Sequence, residues 1–273
     1  MKIYLHEKSI FNDVYWFAFN AFKLSGAELD AFIIYQALKT SKGLFGRNNN
    51  YFRTLTEILC TRSYQQILEI KKMYYKLYKM DLTDSICSKM KGSLRTFFYN
   101  VLTMSRYPRE NYRSIDVRLF TEVIVVSKQR SFYKKNKEKF IEIFSRTNFK
   151  DIKNMITYLN EEPNGNITIY LKGILASRLR KCAHSICKSC FNSGQYCMDK
   201  EKYFAKCLNK YIRNSNIKGA ISIILTRSEI DLADIIMEYQ DLYKKGPIDD
   251  MLKLWDTKSK FINYFLRPLC QII

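Results

Sequence analysis

Residues 223–243 read IILTRSEIDLADIIMEYQDLY, an apolar strip, a Thr-Arg-Ser break and a second apolar strip at helical spacing. The same join stands around Arg62, in LTEILCTRSYQQILEIKKMYYKLY, and around Arg146, in FIEIFSRTNFKDIKNMITYL. The three arginines lie 84 and 81 residues apart, so the chain repeats with a period near eighty. Each is followed twelve positions later by a tyrosine: Tyr74, Tyr158 and Tyr239. That spacing is a little over three helical turns. It sets Ile67, Ile70 and Tyr74 on one face, matched by Leu232, Ile235 and Tyr239, and such a face has to pack. An arginine between two such helices suits a structural corner, its planar fork of donors answering the carbonyls left open where the first helix ends. Arg62, Arg146 and Arg227 are therefore expected to be corner residues and not catalytic groups.

The bulk composition bounds the architecture around these corners. With 47% apolar residues and only 9 Gly and 4 Pro in 273, the chain can bury a large core and is poor in the breakers that many-stranded folds use. The expectation is an all-α protein. No apolar run reaches the roughly 18 residues of a membrane span, and the start MKIYLHEKSIF lacks a signal core, which predicts a cytoplasmic protein. The eight Cys then read as reduced thiols and not as a disulfide frame. Forty-six basic against 26 acidic residues give a net charge of +20, more than solubility needs. An anionic partner follows, whether lipid headgroups, nucleic acid or an acidic protein.

The three copies resemble the annexin repeat, shared with the alpha-giardins: five short helices, A to E, with an SR or TR corner between B and C. The last copy, TRSEIDLADIIMEYQDLYKKGPIDDMLKLWDTKSKF, resembles that family's fourth repeat from helix B through D. After Arg62, KMDLTDSICSKMKGSLRTFFYNVLTMSR follows its pattern of a closing helix C, helix D, a Gly-containing loop and a long apolar helix E. The resemblance implies tandem five-helix repeats forming a curved helical array. Their bounds are expected at 27–113, 114–197 (the divergent copy) and 198–273, with 1–26 a remnant of a first repeat.

The resemblance also implies where function sits. In that family the A–B loop turns backbone carbonyls toward Ca²⁺, an acid of the D–E loop clasps the ion, and the ion bridges to a lipid phosphate. Calcium wants six to eight hard oxygens, which is why glycines and a carboxylate serve it. Here Gly43 and Gly46 remain in the first such loop, yet no Asp or Glu occurs between Asp84 and Glu110, and Lys89 falls near the clasping position. The second copy carries Tyr133-Lys134-Lys135-Asn136-Lys137 in place of glycines and has no acid between Glu162 and Asp199. The last keeps Asp256 as a clasp beside a glycine-free loop, Ile212-Arg213-Asn214-Ser215. Calcium is expected to bind weakly or not at all.

Cations fill these loops instead: Arg47, Lys89, Lys91, Arg95, Lys134, Lys135, Lys137, Arg213, Lys218, Lys258 and Lys260. The expected function is peripheral binding to anionic phospholipid membranes by direct Lys and Arg contacts, with self-association on the membrane a further expectation. The alternative is a basic nucleic-acid-binding or zinc-binding helical protein. Its support is the 38 Tyr plus Phe available for stacking and the spacing Cys182-Ala-His184-Ser-Ile-Cys187-Lys-Ser-Cys190. Against zinc, the resemblance puts these cysteines on a helix E, where small thiols pack as apolar groups. There is no phosphate-cradling glycine loop and no nucleophile elbow, and His6 and His184 are the only histidines. A catalytic role is not expected, and Asp249-Asp250 reads as a helix-end pair.

Overall fold

The computed structural model describes residues 10–40, 50–106, 200–255 and 261–270, together with 138–139, 141–149, 151–152, 154, 157 and 182. Its elements are α1 (Ile10–Ala21), α2 (Gly26–Thr40), α3 (Asn50–Leu59), α4 (Tyr64–Tyr78), α5 (Leu82–Cys87) and α6 (Gly92–Thr103). After these come α7 (Lys200–Arg213), α8 (Ile217–Arg227), α9 (Leu232–Tyr243), α10 (Pro247–Leu254), one π-helical stretch (Ile262–Leu266) and α11 (Arg267–Cys270). Among the described residues there is no strand, so the fold is all-α. The chain divides into two compact units, Met1–Ile33 with Met198–Ile273, and Ile34–Cys197.

In the second unit the Arg62 corner forms because each helix end finds a local partner. The Thr61 hydroxyl donates to the Glu57 carbonyl at 2.6 Å as α3 closes. Ser63 then opens α4 with a capping box: its Oγ accepts from the Gln66 N–H and the Gln66 Oε1 accepts from the Ser63 N–H. Ile67, Ile70 and Tyr74 are the buried residues of α4, the face expected from their spacing. Tyr35 lies flat on Tyr78 with ring centres 3.8 Å apart, and Tyr74 meets Tyr78 edge-on. Lys79 ends α4 in the left-handed conformation, and Asp81 caps α5 through the Asp84 N–H at 2.9 Å. The last carbonyls of α6 are closed by α4 side chains, with Lys71 Nζ donating to Leu102 O and Tyr64 Oη to Thr103 O.

In the first unit the corresponding buried face of α9 is Leu232, Ile235, Ile236 and Tyr239, and Lys244 ends the helix in the left-handed conformation. Arg227 is 3% exposed. Its Nε donates to Asp231 Oδ1 at 2.6 Å, its Nη2 donates to Asp231 Oδ2, and its plane lies 4.6 Å from the centre of the Phe204 ring. This corrects the expectation that the corner arginine serves open carbonyls. The Arg227 carbonyl is already taken by the Ile230 and Asp231 N–H groups, so the fork turns to a carboxylate whose burial demands a cation. Gly219 lets α8 approach α7, since a Cβ there would come within 2.7 Å of the Tyr211 ring. Helix α1 packs in this unit too, Phe17 against Phe32 and Tyr15 edge-on to Phe261.

Near the Arg146 join another arginine, Arg106, bonds carbonyls. At the Arg146 join the helical run 141–146 breaks at Thr147, and Arg106 Nη1 donates to Thr147 O at 2.5 Å and to Phe144 O at 3.4 Å. Arg146 itself pairs with Glu142 at 3.7 Å, with 28% of its side chain exposed. Tyr158 lies outside the described residues.

The buried pair at the last corner gives a direct test. Arg227→Met strands the Asp231 carboxylate and should lower the unfolding free energy by about 3–5 kcal/mol, while Arg227→Met with Asp231→Leu should recover most of it. Urea unfolding of the two variants measures both.

Candidate functional site

The two connections expected to carry function in the first complete set of helices are 41–49, between α2 and α3, and 88–91, between α5 and α6. Gly43, Gly46 and Arg47 belong to the first and lie outside the described residues. The second is a tight turn in which the N–H groups of Lys89 and Met90 donate to Ile86 O and Cys87 O, with Met90 buried. Lys89 does not project from it. Its ammonium runs back to α2 and donates to the Leu38 carbonyl at 3.0 Å, which corrects the reading of Lys89 as a lipid-facing cation. Lys91 and Arg95 are exposed, at the cap and in the first turn of α6.

The Leu38 carbonyl, an oxygen of the type a metal would use, accepts from an ammonium, and the chain from 85 to 109 supplies no carboxylate. Among the described residues no group of three or more His, Cys, Asp or Glu side chains is placed to hold a metal ion.

At the other end of the chain α7 passes to α8 through residues 214–216. The turn is made without glycine: Ser215 takes φ 51° and Asn216 caps α8 by accepting from the Gly219 N–H at 3.1 Å. Arg213 is exposed, and its Nε donates to Asn209 Oδ1 at 3.0 Å. Asn209, buried, donates through Nδ2 to Tyr239 Oη at 3.1 Å, and Tyr239 donates to Asp250 Oδ2 at 2.8 Å. Three hydrogen bonds thus tie a surface guanidinium to helices α7, α9 and α10. Asp250 is more than the helix-end residue expected of it, whereas Asp249 does act locally, accepting from the Gly246 N–H. The Trp255 indole, just past α10, donates to the Ile212 carbonyl at 3.1 Å. Asp256, Lys258 and Lys260 lie outside the described residues, as do Lys134, Lys135 and Lys137.

Two further groups are placed differently from a simple surface charge or ligand. Lys218 pairs with Asp13 at the surface and lies 5.7 Å from the centre of the Phe17 ring. Cys182 is fully buried, and burial above all, then its contact with the Cys60 thiol, pushes its own thiol well up. Cys187 and Cys190 lie outside the described residues. The Asn209 link escaped the sequence reading. The available signal was one amide set among the buried neighbours Leu208, Tyr211 and Ile212.

Comparison with known proteins agrees with this architecture. The annexin family model matches residues 46–101. Annexin D5 of Arabidopsis thaliana is 28% identical over 235 residues, covering 80% of this chain and 66% of the relative. Annexin A13 of Mus musculus is 26% identical over 223 residues, covering 76% and 63%. The chain thus spans about two thirds of the length of these relatives. Among solved structures, annexin A8 superposes with a TM-score of 0.72 at 20% identity, covering 86% of this chain and 69% of that one. Calcium-bound alpha-1 giardin gives 0.68 at 12% identity, covering 94% and 79%. These likenesses are of fold, and the resemblance read from the arginine corners holds over most of the chain.

Half-buried Tyr78 and buried Tyr239 predict the alkaline limit of the fold. Burial, then the neighbouring Tyr35 and Tyr74, push Tyr78 up to about 12, and burial with the Asp250 bond holds Tyr239 higher still. Both lie above the ordinary tyrosine value of 10.0, so above that pH the unfolded chain loses these protons first and the folded chain binds more. Stability should therefore be fully present below pH 10 and fall as pH rises toward 12. Urea midpoints across this range should decline less steeply for Tyr78→Phe than for the unaltered chain.

Proposed function

We propose that this annexin-like chain is a peripheral membrane protein that holds anionic phospholipid headgroups directly with lysine and arginine side chains at its interhelical tips, calcium binding there being weak or lost. The observation that carries the reading is the charge on the described tips. Lys91, Arg95 and Arg213 are exposed, and the segment that should supply a clasping carboxylate has none. Phospholipid and calcium binding are properties of the annexin family. A metal bridge there joins protein oxygens to a phosphate, whereas a fixed cation meets the phosphate without an intermediary.

Magnitudes decide what kind of binding this is. Each cation near an anionic leaflet contributes about 1 kcal/mol, so five or six engaged together give about 5–6 kcal/mol. That is an affinity near that of one myristoyl chain, roughly 10⁴ M⁻¹, and so reversible. It is also screened by salt, since headgroup charges act over a Debye length of about 8 Å at physiological ionic strength. Arg213 has an added advantage. With Nε held by Asn209, its fork is already ordered and loses less freedom on meeting a phosphate than a loose lysine would.

The reading is of a binding protein and not a catalyst. No helix among the described residues is long and apolar enough to cross a membrane. Nucleic-acid binding is not favoured, because the matching family model and the curated relatives are annexins.

Sedimentation with phosphatidylserine vesicles in the presence of chelator tests it. The full chain should bind at low salt and release at high salt, and phosphatidylcholine vesicles should leave it in solution. Lys91→Glu, Arg95→Glu and Arg213→Glu together should weaken binding by at least about tenfold. No binding in chelator, or a triple variant that binds like the unaltered chain, rejects the direct-contact mechanism.

A further inference from the structure

We infer that the Lys89 ammonium takes the place of a metal ion at the tip where α2 meets the α5–α6 turn, a tethered cation that joins the two segments and keeps a divalent cation out. The bond it makes is long-range, Lys89 Nζ to Leu38 O at 3.0 Å across 51 residues, and it is partly buried. Leu38 stands in the last turn of α2, near the negative end of the helix dipole. Any cation placed there is favoured. A metal ion would also need carboxylate charge, which residues 85–109 do not offer, and Lys89 supplies positive charge at the same oxygen.

The last set of helices makes the same join with different chemistry. There the Trp255 Nε1–H donates to Ile212 O at 3.1 Å, from just past α10 to the last turn of α7. Both sets therefore link the end of their first helix to the segment following their fourth. In one set the donor is neutral and in the other it is a full charge. The recurrence marks the link as a requirement of the five-helix unit. The charge marks Lys89 as the residue that makes a metal redundant and excludes it.

The inference rests on the correspondence of the two helix sets and not on lipid binding, so it is tested in solution without vesicles. Hydrogen exchange of the full chain, followed by mass spectrometry in peptides covering residues 34–40 and 85–95, reads the link locally. In chelator, Lys89→Met should exchange roughly three- to tenfold faster in both peptides, with Lys89→Gln falling between it and the unaltered chain. Calcium should leave the unaltered chain as it was and slow Lys89→Glu by at least about threefold. Lys89→Met exchanging like the unaltered chain overturns the proposal, because the bond then holds nothing. So does calcium protecting the unaltered chain as much as Lys89→Glu, or failing to protect Lys89→Glu at all.

Discussion

A guanidinium shut away beside Phe204 and closed on the Asp231 carboxylate ties α8 to α9 in one geometry, and much of the last five-helix set is arranged around that join. Neither ion could be left there alone, since an unpaired buried charge costs several kcal/mol. The pair therefore acts less as added stability than as a constraint on how two helices meet. An interval of 165 residues relates Arg62 to Arg227, Tyr74 to Tyr239 and Lys79 to Lys244. At both ends of that interval the arginine and tyrosine are buried and the lysine takes a left-handed cap. A corner, a packed face and a stop are thus reproduced as one module.

Freedom at the tips follows from order at the corners. Because the corners and the α4 and α9 faces carry the packing, the short connections can change chemistry without unfolding the unit. Among the described residues, Lys89, Lys91 and Arg213 stand at or beside such connections. The tip containing Lys89 bonds a helix-end carbonyl with an ammonium, and the tip containing Arg213 presents a guanidinium steadied through Asn209, Tyr239 and Asp250. A cation built into the chain needs no ion from solution. It also cannot be withdrawn, so ionic strength would regulate such a surface where ion concentration regulates a metal-bridged one.

The helical class, the corners and the packed faces were legible because they depend on spacing within a few turns. Ile67, Ile70 and Tyr74 announce a face whatever lies opposite, and they are the buried residues of α4. The acceptor of Arg227 was harder to read. Asp231 precedes an apolar helix and looks like a cap, and only the folded corner reveals that it faces inward. Arg106 could not be assigned from its neighbours, for its acceptors Phe144 and Thr147 lie about forty residues on and depend on tertiary packing. The same holds for Lys89 and Leu38. Composition along the chain gave the sign of the tip charges, while the direction each side chain takes belongs to contacts between distant segments.

On the reading proposed above, a phosphate surface meets charge supplied by the chain itself and not by a bound metal. Affinity for phosphatidylserine vesicles, measured while free calcium is raised from chelated to millimolar at constant ionic strength, bears on it most directly. Binding and metal are thermodynamically linked, so an ion that bridges protein to lipid must tighten vesicle binding as it is added. Direct contact gives an affinity that is measurable in chelator and flat across the titration. An affinity that is absent in chelator and rises tenfold or more with calcium contradicts it.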